Sequence, residues 1–244
     1  MTSVNDRFWA EALKISEAKS DAEIRSAFLE VIGTLGFRAA YFLNPVAADA
    51  RIGRRLLNLG FPKVWERHYP GRLALVDPLP RAALRHGSAF RWSEIDRILR
   101  LSRRQRKYFE LLERFGIGDG IGMPCYGPGA RRTFIGVGLP VSDDCITPES
   151  MLKVSALGQI SFQRHLQLSR LSDLENPRLS QREHEVMQWI ARGKSNAVIG
   201  QILGISASTV DVYVSRIFEK LGVTDRTSAS VRALTLGVIR ASPR

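Results

Sequence analysis

Between Leu179 and Ile239 the chain alternates helix starts and stops so closely that few folds can accommodate it. Ser180 and Glu183 form a capping-box spacing, in which the serine oxygen takes one orphan backbone N–H and the glutamate returns to another. Val186, Trp189 and Ile190 then recur at helical spacing up to Gly193, a natural stop. A second start at Ser195 carries Val198, Ile199, Ile202 and Leu203 as an apolar stripe and ends at Gly204. A third start at Ser206 carries Val210, Val214, Ile217 and Leu221. Helix, tight turn and helix make a unit whose second helix lies in the DNA major groove while the first braces it.

The groove helix is expected over Ala207 to Leu221. With its apolar stripe turned inward, Ser208, Thr209, Asp211, Val212, Ser215 and Arg216 face the DNA side. Arg192, Lys194 and Lys220, with Ser195 at the helix start, lie at the edges, where cations meet phosphates. Asp211 is either a reader of a cytosine amine or a tolerated negative charge, because a carboxylate repels phosphate. Caps and stripes also describe a small helical bundle that binds protein, or nothing.

A chain of 244 residues has room for a second domain. Its formal net charge of +12 favours a polyanionic partner. Cys125 and Cys145 have no C-x-x-C spacing and are expected to be reduced and buried, as in the cytoplasm. The first residues lack a signal-peptide pattern and no apolar run reaches membrane-spanning length, so a cytoplasmic chain with no membrane partner is expected.

The first 170 or so residues alternate helices with short strands. Phe8, Trp9, Leu13 and Ile15 have helical texture. Ser20-Asp21 opens an amphipathic helix through Leu35, and Phe37 to Leu43 reads as a strand broken at Asn44-Pro45. Leu56 to Leu59, Ala89 to Trp92 and Thr133 to Leu139 are further strand candidates, the last alternating with small residues. Arg97 to Phe115 reads as one long helix with a basic face, which is most simply a solvated surface. Pro148 to Leu174 is helical again, as a core helix or a two-chain seam. The expected fold is α+β: an N-terminal α/β/α sandwich around an antiparallel sheet over residues 1–172, a linker over 173–178, and an all-α helix-turn-helix bundle over 179–244.

Trp65, Tyr69, Asp77 and Trp92 stand out in the first domain. A buried carboxylate needs donors, and indole N–H and phenol O–H groups need acceptors. They suit a pocket for a small ligand with an apolar tail; they also suit plain packing, with Asp77 an N-cap before Pro78. The glycines from Gly116 to Gly122 do not fit G-x-G-x-x-G and lead into a strand, which excludes a dinucleotide fingerprint. Gln188 replaces the first glycine that a phosphate loop would need before Gly193-Lys194-Ser195. His68, His86, His165 and His184 lack metal-ligand spacing and no G-x-S-x-G is present, so neither a metal site nor an enzyme is expected.

The C-terminal run resembles the helix-turn-helix of LuxR-type transcription regulators through Leu179-Ser180, Arg182-Glu183-His184-Glu185-Val186, Gly193-Lys194-Ser195, Ile199 to Leu203, Ile205-Ser206, Thr209-Val210 and Lys220-Leu221-Gly222-Val223. Met187 and Tyr213 replace the usual leucine and histidine. Upstream, Phe61-Pro62, Trp65, Tyr69, Asp77-Pro78, Phe90-Arg91-Trp92, Phe115-Gly116-Ile117, Gly120 and Pro124 resemble the autoinducer-binding domain of the quorum-sensing members. The resemblance implies a homodimeric regulator that binds an N-acyl- or aroyl-homoserine lactone as effector, without a cofactor, and reads a two-fold symmetric site on double-stranded DNA. It implies that Trp65 donates to the lactone carbonyl and Asp77 accepts from the ligand amide. Tyr69 and Trp92 would wall the pocket, and Pro78 and Gly120 shape it. Phe61 stands where many members have a tyrosine whose hydroxyl meets the acyl carbonyl, so that hydrogen bond is lost here. A regulator answering another signal, or none, is the alternative.

Overall fold

The computed structural model describes residues 4–44, 55–128, 131–169 and 178–239. The chain divides into two compact units at Leu168 and Ser169.

In the first unit α1 (Val4–Glu17) and α2 (Asp21–Thr34) precede a sheet. The Ser20 hydroxyl caps α2, accepting from the Glu23 N–H at 3.2 Å. The strands are β1 (Phe37–Asn44), β2 (Arg55–Leu59), β3 (Phe90–Arg91), β4 (Gly120–Tyr126) and β5 (Arg132–Pro140), in the order β2-β1-β5-β4-β3. Every pairing is antiparallel. Successive side chains on a strand face opposite ways, and here they divide two cores. Ala40, Ile121, Met123, Cys125, Ile135 and Val137 pack against α1, α2 and α7 (Pro148–Leu168). Ala39, Tyr41, Leu43 and Phe134 face the other layer. That layer contains α3 (Lys63–His68), a wide turn at Tyr69–Leu73, the single turn α4 (Ala74–Val76), α5 (Leu79–His86) and α6 (Arg103–Arg114). The result is the expected sandwich around an antiparallel sheet.

The alternation also explains the glycines. Gly120 lies opposite Gly138 and Gly122 opposite Gly136 across β4 and β5, while Tyr41 of β1 lies opposite Gly136. Their large neighbours, Ile121, Met123, Ile135 and Val137, fill the first core, so the glycines leave a bare floor on the second face. Aromatic rings occupy that space: a Cβ on Gly138 would lie 3.0 Å from both Phe61 and Trp92, and one on Gly122 would lie 2.9 Å from Phe90.

Expectations for the first unit change in places. Arg97 to Phe115 is not one helix: Trp92–Arg97 is a 3₁₀ segment, the chain breaks, and α6 restarts at Ser102 with a capping box to Gln105. The cap at Ser102 supplies a local alternative to helix continuation. Trp9 and Leu13 of α1 are 62% and 57% exposed, so only Phe8 and Ile15 of that apolar set enter the core. The helix begun at Pro148 is described as far as Leu168. The expected continuation to Leu174 and the linker 173–178, except Arg178, lie outside the described residues. Both cysteines are free thiols, but only Cys125 is buried and Cys145 is half-buried; burial pushes the Cys125 pKa up to about 12, which makes it an inert packing group.

The second unit contains α8 (Gln181–Ala191), α9 (Asn196–Leu203), α10 (Ala207–Leu221) and α11 (Arg226–Thr235). Each predicted start is capped by its serine: Ser180, Ser195 and Ser206 accept from Glu183, Val198 and Thr209 N–H groups. Between α9 and α10 the chain turns through 109°, with Gly204 left-handed at φ 66°. Gly200 allows this close turn, because a Cβ there would meet the Ile205 carbonyl oxygen at 2.7 Å. Val186, Met187, Ile190, Ile199, Val210, Ile217 and Leu221 make the core with Ala229 and Ala233 of α11. Val198 and Ile202, expected on the buried stripe of α9, are 37% and 44% exposed; the short helix buries Ile199 and Gly200 instead.

Candidate ligand pocket and nucleic-acid interface

The glycine floor carries a ring of aromatic side chains. α3 delivers Trp65 and the wide turn after it delivers Tyr69, with ring centroids 4.9 Å apart. Phe61 stacks beside Trp92 at 6.4 Å and lies 5.2 Å from Trp65. Tyr41 rises from β1 into the middle, 5.1 Å from Trp65, 5.5 Å from Phe61 and 6.3 Å from Trp92. Trp65, Tyr69, Trp92 and Tyr41 are each 1% exposed. Gly120 shapes this wall, since a Cβ there would meet the Trp92 ring at 3.0 Å.

Trp92 is held from outside the ring. Asp119 receives the Arg91 guanidinium, the Ser93 N–H at 3.0 Å, the Ser93 hydroxyl at 2.7 Å and the Gly120 N–H at 2.8 Å. One carboxylate thus ties both flanks of Trp92 to the start of β4. Asp119 is a positioning residue that sequence reading passed over as part of a glycine cluster.

Asp77 is the buried carboxylate of the site, 8% exposed. It accepts from the Tyr69 hydroxyl at 2.6 Å and from the Leu79 N–H at 2.9 Å. Pro78 rather than Asp77 stands at the N-cap of α5, and the Asp77 carboxylate ties the first N–H of that helix to the Tyr69 phenol. The structure brings together Phe61, Trp65, Tyr69, Asp77, Trp92 and Gly120, with Pro78 buried beside Asp77.

Buried donors without acceptors gather in this cluster. The indole N–H groups of Trp65 and Trp92 and the hydroxyls of Tyr41 and Tyr108 are buried with no hydrogen-bond partner. Burying such a group unpaired costs about 1–3 kcal/mol. Burial first, and then the Asp77 charge, pushes both tyrosines well above their ordinary pKa, so they remain neutral donors. Tyr108, from α6, lies close enough to Asp77 and Trp65 to feel both while closing no hydrogen bond of good geometry. Tyr41 and Tyr108 were missed in the sequence, where no local pattern marks a lone tyrosine on a strand or a basic helix.

On the second unit, Ser208, Thr209, Asp211, Val212, Ser215 and Arg216 of α10 are all exposed, as are Arg192, Lys194 and Ser195. Val212 is 49% exposed although apolar. Thr209 and Ser208 hydroxyls lie 2.7 and 2.8 Å from the Ser206 hydroxyl, and the Ser215 hydroxyl donates to the Asp211 carbonyl at 3.0 Å. Asp211 accepts from the Asn196 amide at 2.6 Å, and the Asn196 carbonyl accepts from Arg226 at 2.9 Å. The carboxylate thus joins α9, α10 and α11, a role neither expectation for it included.

Lys220 also has an internal role. Its ammonium donates to the buried Glu183 carboxylate at 2.6 Å and to the Arg178 carbonyl at 3.2 Å. Burial pushes the Glu183 carboxyl up, but hydrogen bonds from Lys220 and Ser180 outweigh it and hold the pKa below its ordinary value. A depressed carboxyl pKa stabilises the fold above the unfolded-state pKa, and that stability is lost as pH falls through the folded-state value. Lys220→Met is therefore expected to lower the melting temperature at neutral pH and to flatten its decline below about pH 4.3. DNA affinity of the folded variant is expected to change by less than that of Arg216→Ala; the reverse order would return Lys220 to the DNA edge.

The family described as bacterial regulatory proteins, luxR family, matches residues 177–233, and the autoinducer binding domain family matches residues 20–164. The chain is 28% identical to a putative HTH-type transcriptional regulator, y4qH, of Sinorhizobium fredii over 81% of its own length and 59% of that protein's. It is 27% identical to the HTH-type quorum sensing-dependent transcriptional regulator RpaR of Rhodopseudomonas palustris, covering 96% of this chain and 98% of RpaR. It is 30% identical to the HTH-type quorum-sensing regulator RhlR of Pseudomonas aeruginosa, covering 73% and 74%. The crystal structure of Escherichia coli SdiA matches with a TM-score of 0.76 at 18% identity, over 98% of this chain and all of SdiA, a likeness of fold.

Proposed function

Because this chain belongs to the LuxR family and is an autoinducer-binding, DNA-binding transcription regulator of quorum sensing, we propose that its signal is an N-acyl-homoserine lactone. The family is one of transcription regulators rather than enzymes. The observation that carries the proposal is the pairing of buried indole donors with a buried carboxylate in an aromatic ring. An acyl-homoserine lactone has two carbonyl acceptors and one amide N–H, separated by few atoms. Trp65 donates to the lactone carbonyl and Asp77 accepts from the amide N–H. Tyr69 and Trp92 enclose the ring, Pro78 and Gly120 set its walls, and Phe61 contributes apolar surface only. The ligand-binding and dimerisation domain spans residues 1–172, with a linker at 173–178 and the DNA-binding domain at 179–244. No single helix among the described residues is long and apolar enough to cross a membrane, and the regulator works in the cytoplasm.

The second unit docks α10 in the major groove of double-stranded DNA. Thr209, Ser208, Ser215 and Arg216 reach base edges or phosphates, and Val212 offers an apolar contact suited to a thymine methyl. Arg192, Lys194 and Ser195 meet the backbone; Lys220 and Asp211 act mainly by holding α10 in place. Two copies read a two-fold symmetric site. A non-lactone signal, or action without ligand, is the second reading, favoured by the hydroxyl that Phe61 lacks; SdiA itself has been solved in complex with octanoyl-rac-glycerol.

Selection from a random duplex pool with the lactone-loaded chain tests the functional reading. The expected result is a site with two related half-sites about one helical turn apart, recovered only with the lactone present and lost with Thr209→Ala/Arg216→Ala. Equal recovery by wild type and double variant would sink the groove assignment. Recovery independent of lactone would leave the second reading.

A further inference from the structure

The missing hydroxyl at Phe61 leaves a specific question in the pocket: which donors serve the acyl half of the ligand? Two buried phenols close no hydrogen bond of good geometry, Tyr41 at 1% and Tyr108 at 2% exposure, although Tyr108 lies close enough to Asp77 and Trp65 to interact with both. They come from β1 and α6 and pack into the same core as Trp65, Tyr69 and Trp92. The Tyr41 hydroxyl feels Asp77, Tyr108 and Tyr69, while Tyr108 feels Asp77 and Trp65.

The surrounding fold is arranged to admit Tyr41. Its ring lies over Gly136, its cross-strand partner, and a Cβ there would come within 2.7 Å of the Tyr41 Cζ. A phenylalanine at either position would give the same packing without a buried unpaired hydroxyl, so the hydroxyls add a cost to the fold alone. That cost is recovered when a bound group supplies acceptors. Trp65 is already assigned to the lactone carbonyl, which places the two phenols on the acyl side.

Resting on the lactone reading, we propose that Tyr41 and Tyr108 are specificity-determining donors to the acyl half of the signal. One replaces the hydroxyl that Phe61 lacks at the amide carbonyl, and the other bonds an oxygen carried by the acyl group. The chain therefore selects an oxygen-bearing acyl group over a plain hydrocarbon of the same skeleton. A site built to hydrogen-bond a ligand oxygen rejects the analogue lacking it, because the site's own donors are then left unpaired.

The test feeds the full-length chain, during expression, equimolar pairs of lactones differing only in that oxygen: hexanoyl with 3-oxohexanoyl, hexanoyl with 3-hydroxyhexanoyl, and phenylacetyl with 4-hydroxyphenylacetyl. Mass spectrometry then reads the ratio retained. Wild type is expected to favour the oxygen-bearing member of at least one pair by about tenfold or more, about 1.4 kcal/mol. Tyr41→Phe/Tyr108→Phe is expected to bring that ratio to near one while still retaining the plain lactone, a pattern that general pocket damage does not give. Single variants assign the two roles. Lactones retained without preference by wild type, or an unchanged preference in the double variant, would overturn this inference and leave the lactone reading standing. If wild type retained no lactone of either kind, both would fall.

Discussion

Asp77→Ala is expected to abolish lactone retention and to weaken the N-terminal unit itself. The Tyr69 hydroxyl and the Leu79 N–H both lose their acceptor, and each buried donor left unpaired costs about 1–3 kcal/mol. Against a typical stability of about 5–15 kcal/mol, the loss is enough to shift much of the protein into insoluble material. Asp77→Asn separates the two effects. Its amide oxygen can still serve the Leu79 N–H, so soluble protein is expected to survive. The charge-assisted bond to the ligand amide is lost, at about 1.5–3 kcal/mol, or about 10- to 150-fold in affinity. Retained lactone measured by mass spectrometry, beside a urea midpoint, reads both terms. An Asp77→Asn chain that held its lactone as tightly as wild type would remove Asp77 from the ligand.

Gly136→Ala carries the second large effect, from one methyl group. The new Cβ would lie within 2.7 Å of the Tyr41 Cζ, on a strand paired on both sides. Neither backbone can retreat easily, so the Tyr41 ring must move against the Phe61 and Trp65 rings 5.5 and 5.1 Å away, which repacks the proposed pocket. Overpacking of this kind costs about 1–3 kcal/mol, and lactone retention is expected to fall by tenfold or more. Gly33→Ala on α2 is the control: nothing lies within 4 Å of its added methyl, and the change favours helix by up to about 1 kcal/mol. Retention should be unchanged there and stability slightly raised. Equal loss from both substitutions, or from neither, would contradict the glycine-floor account.

Much of this was legible locally. Ser180, Ser195 and Ser206 cap their helices as the spacing predicts, because a cap depends on a few adjacent residues. Strand alternation over Thr133 to Leu139 already showed large residues separated by small ones. It did not show that Gly136 and Gly138 face Gly122 and Gly120, since register is set between strands. Burial was read less well: Val198 and Ile202 fit a helical stripe yet remain exposed. The break before α6 was hidden because a run of arginines suits a helix as well as a loop. Tyr41 and Tyr108 were hidden for a different reason, as their shared environment exists only once sheet and helix layers close on Asp77.

The central claim, that the aromatic ring around Asp77 holds a homoserine lactone, is tested most directly by expressing the full-length chain with and without a lactone panel. Mass spectrometry identifies what copurifies, and a thermal melt follows. The account predicts one intact lactone per chain and a raised melting temperature, since a ligand that binds only the folded state at 100 times its Kd adds about 2.7 kcal/mol. A chain that folds and binds DNA equally well without any lactone, and retains none when they are supplied, would contradict the pocket assignment and leave only the DNA-binding module in place.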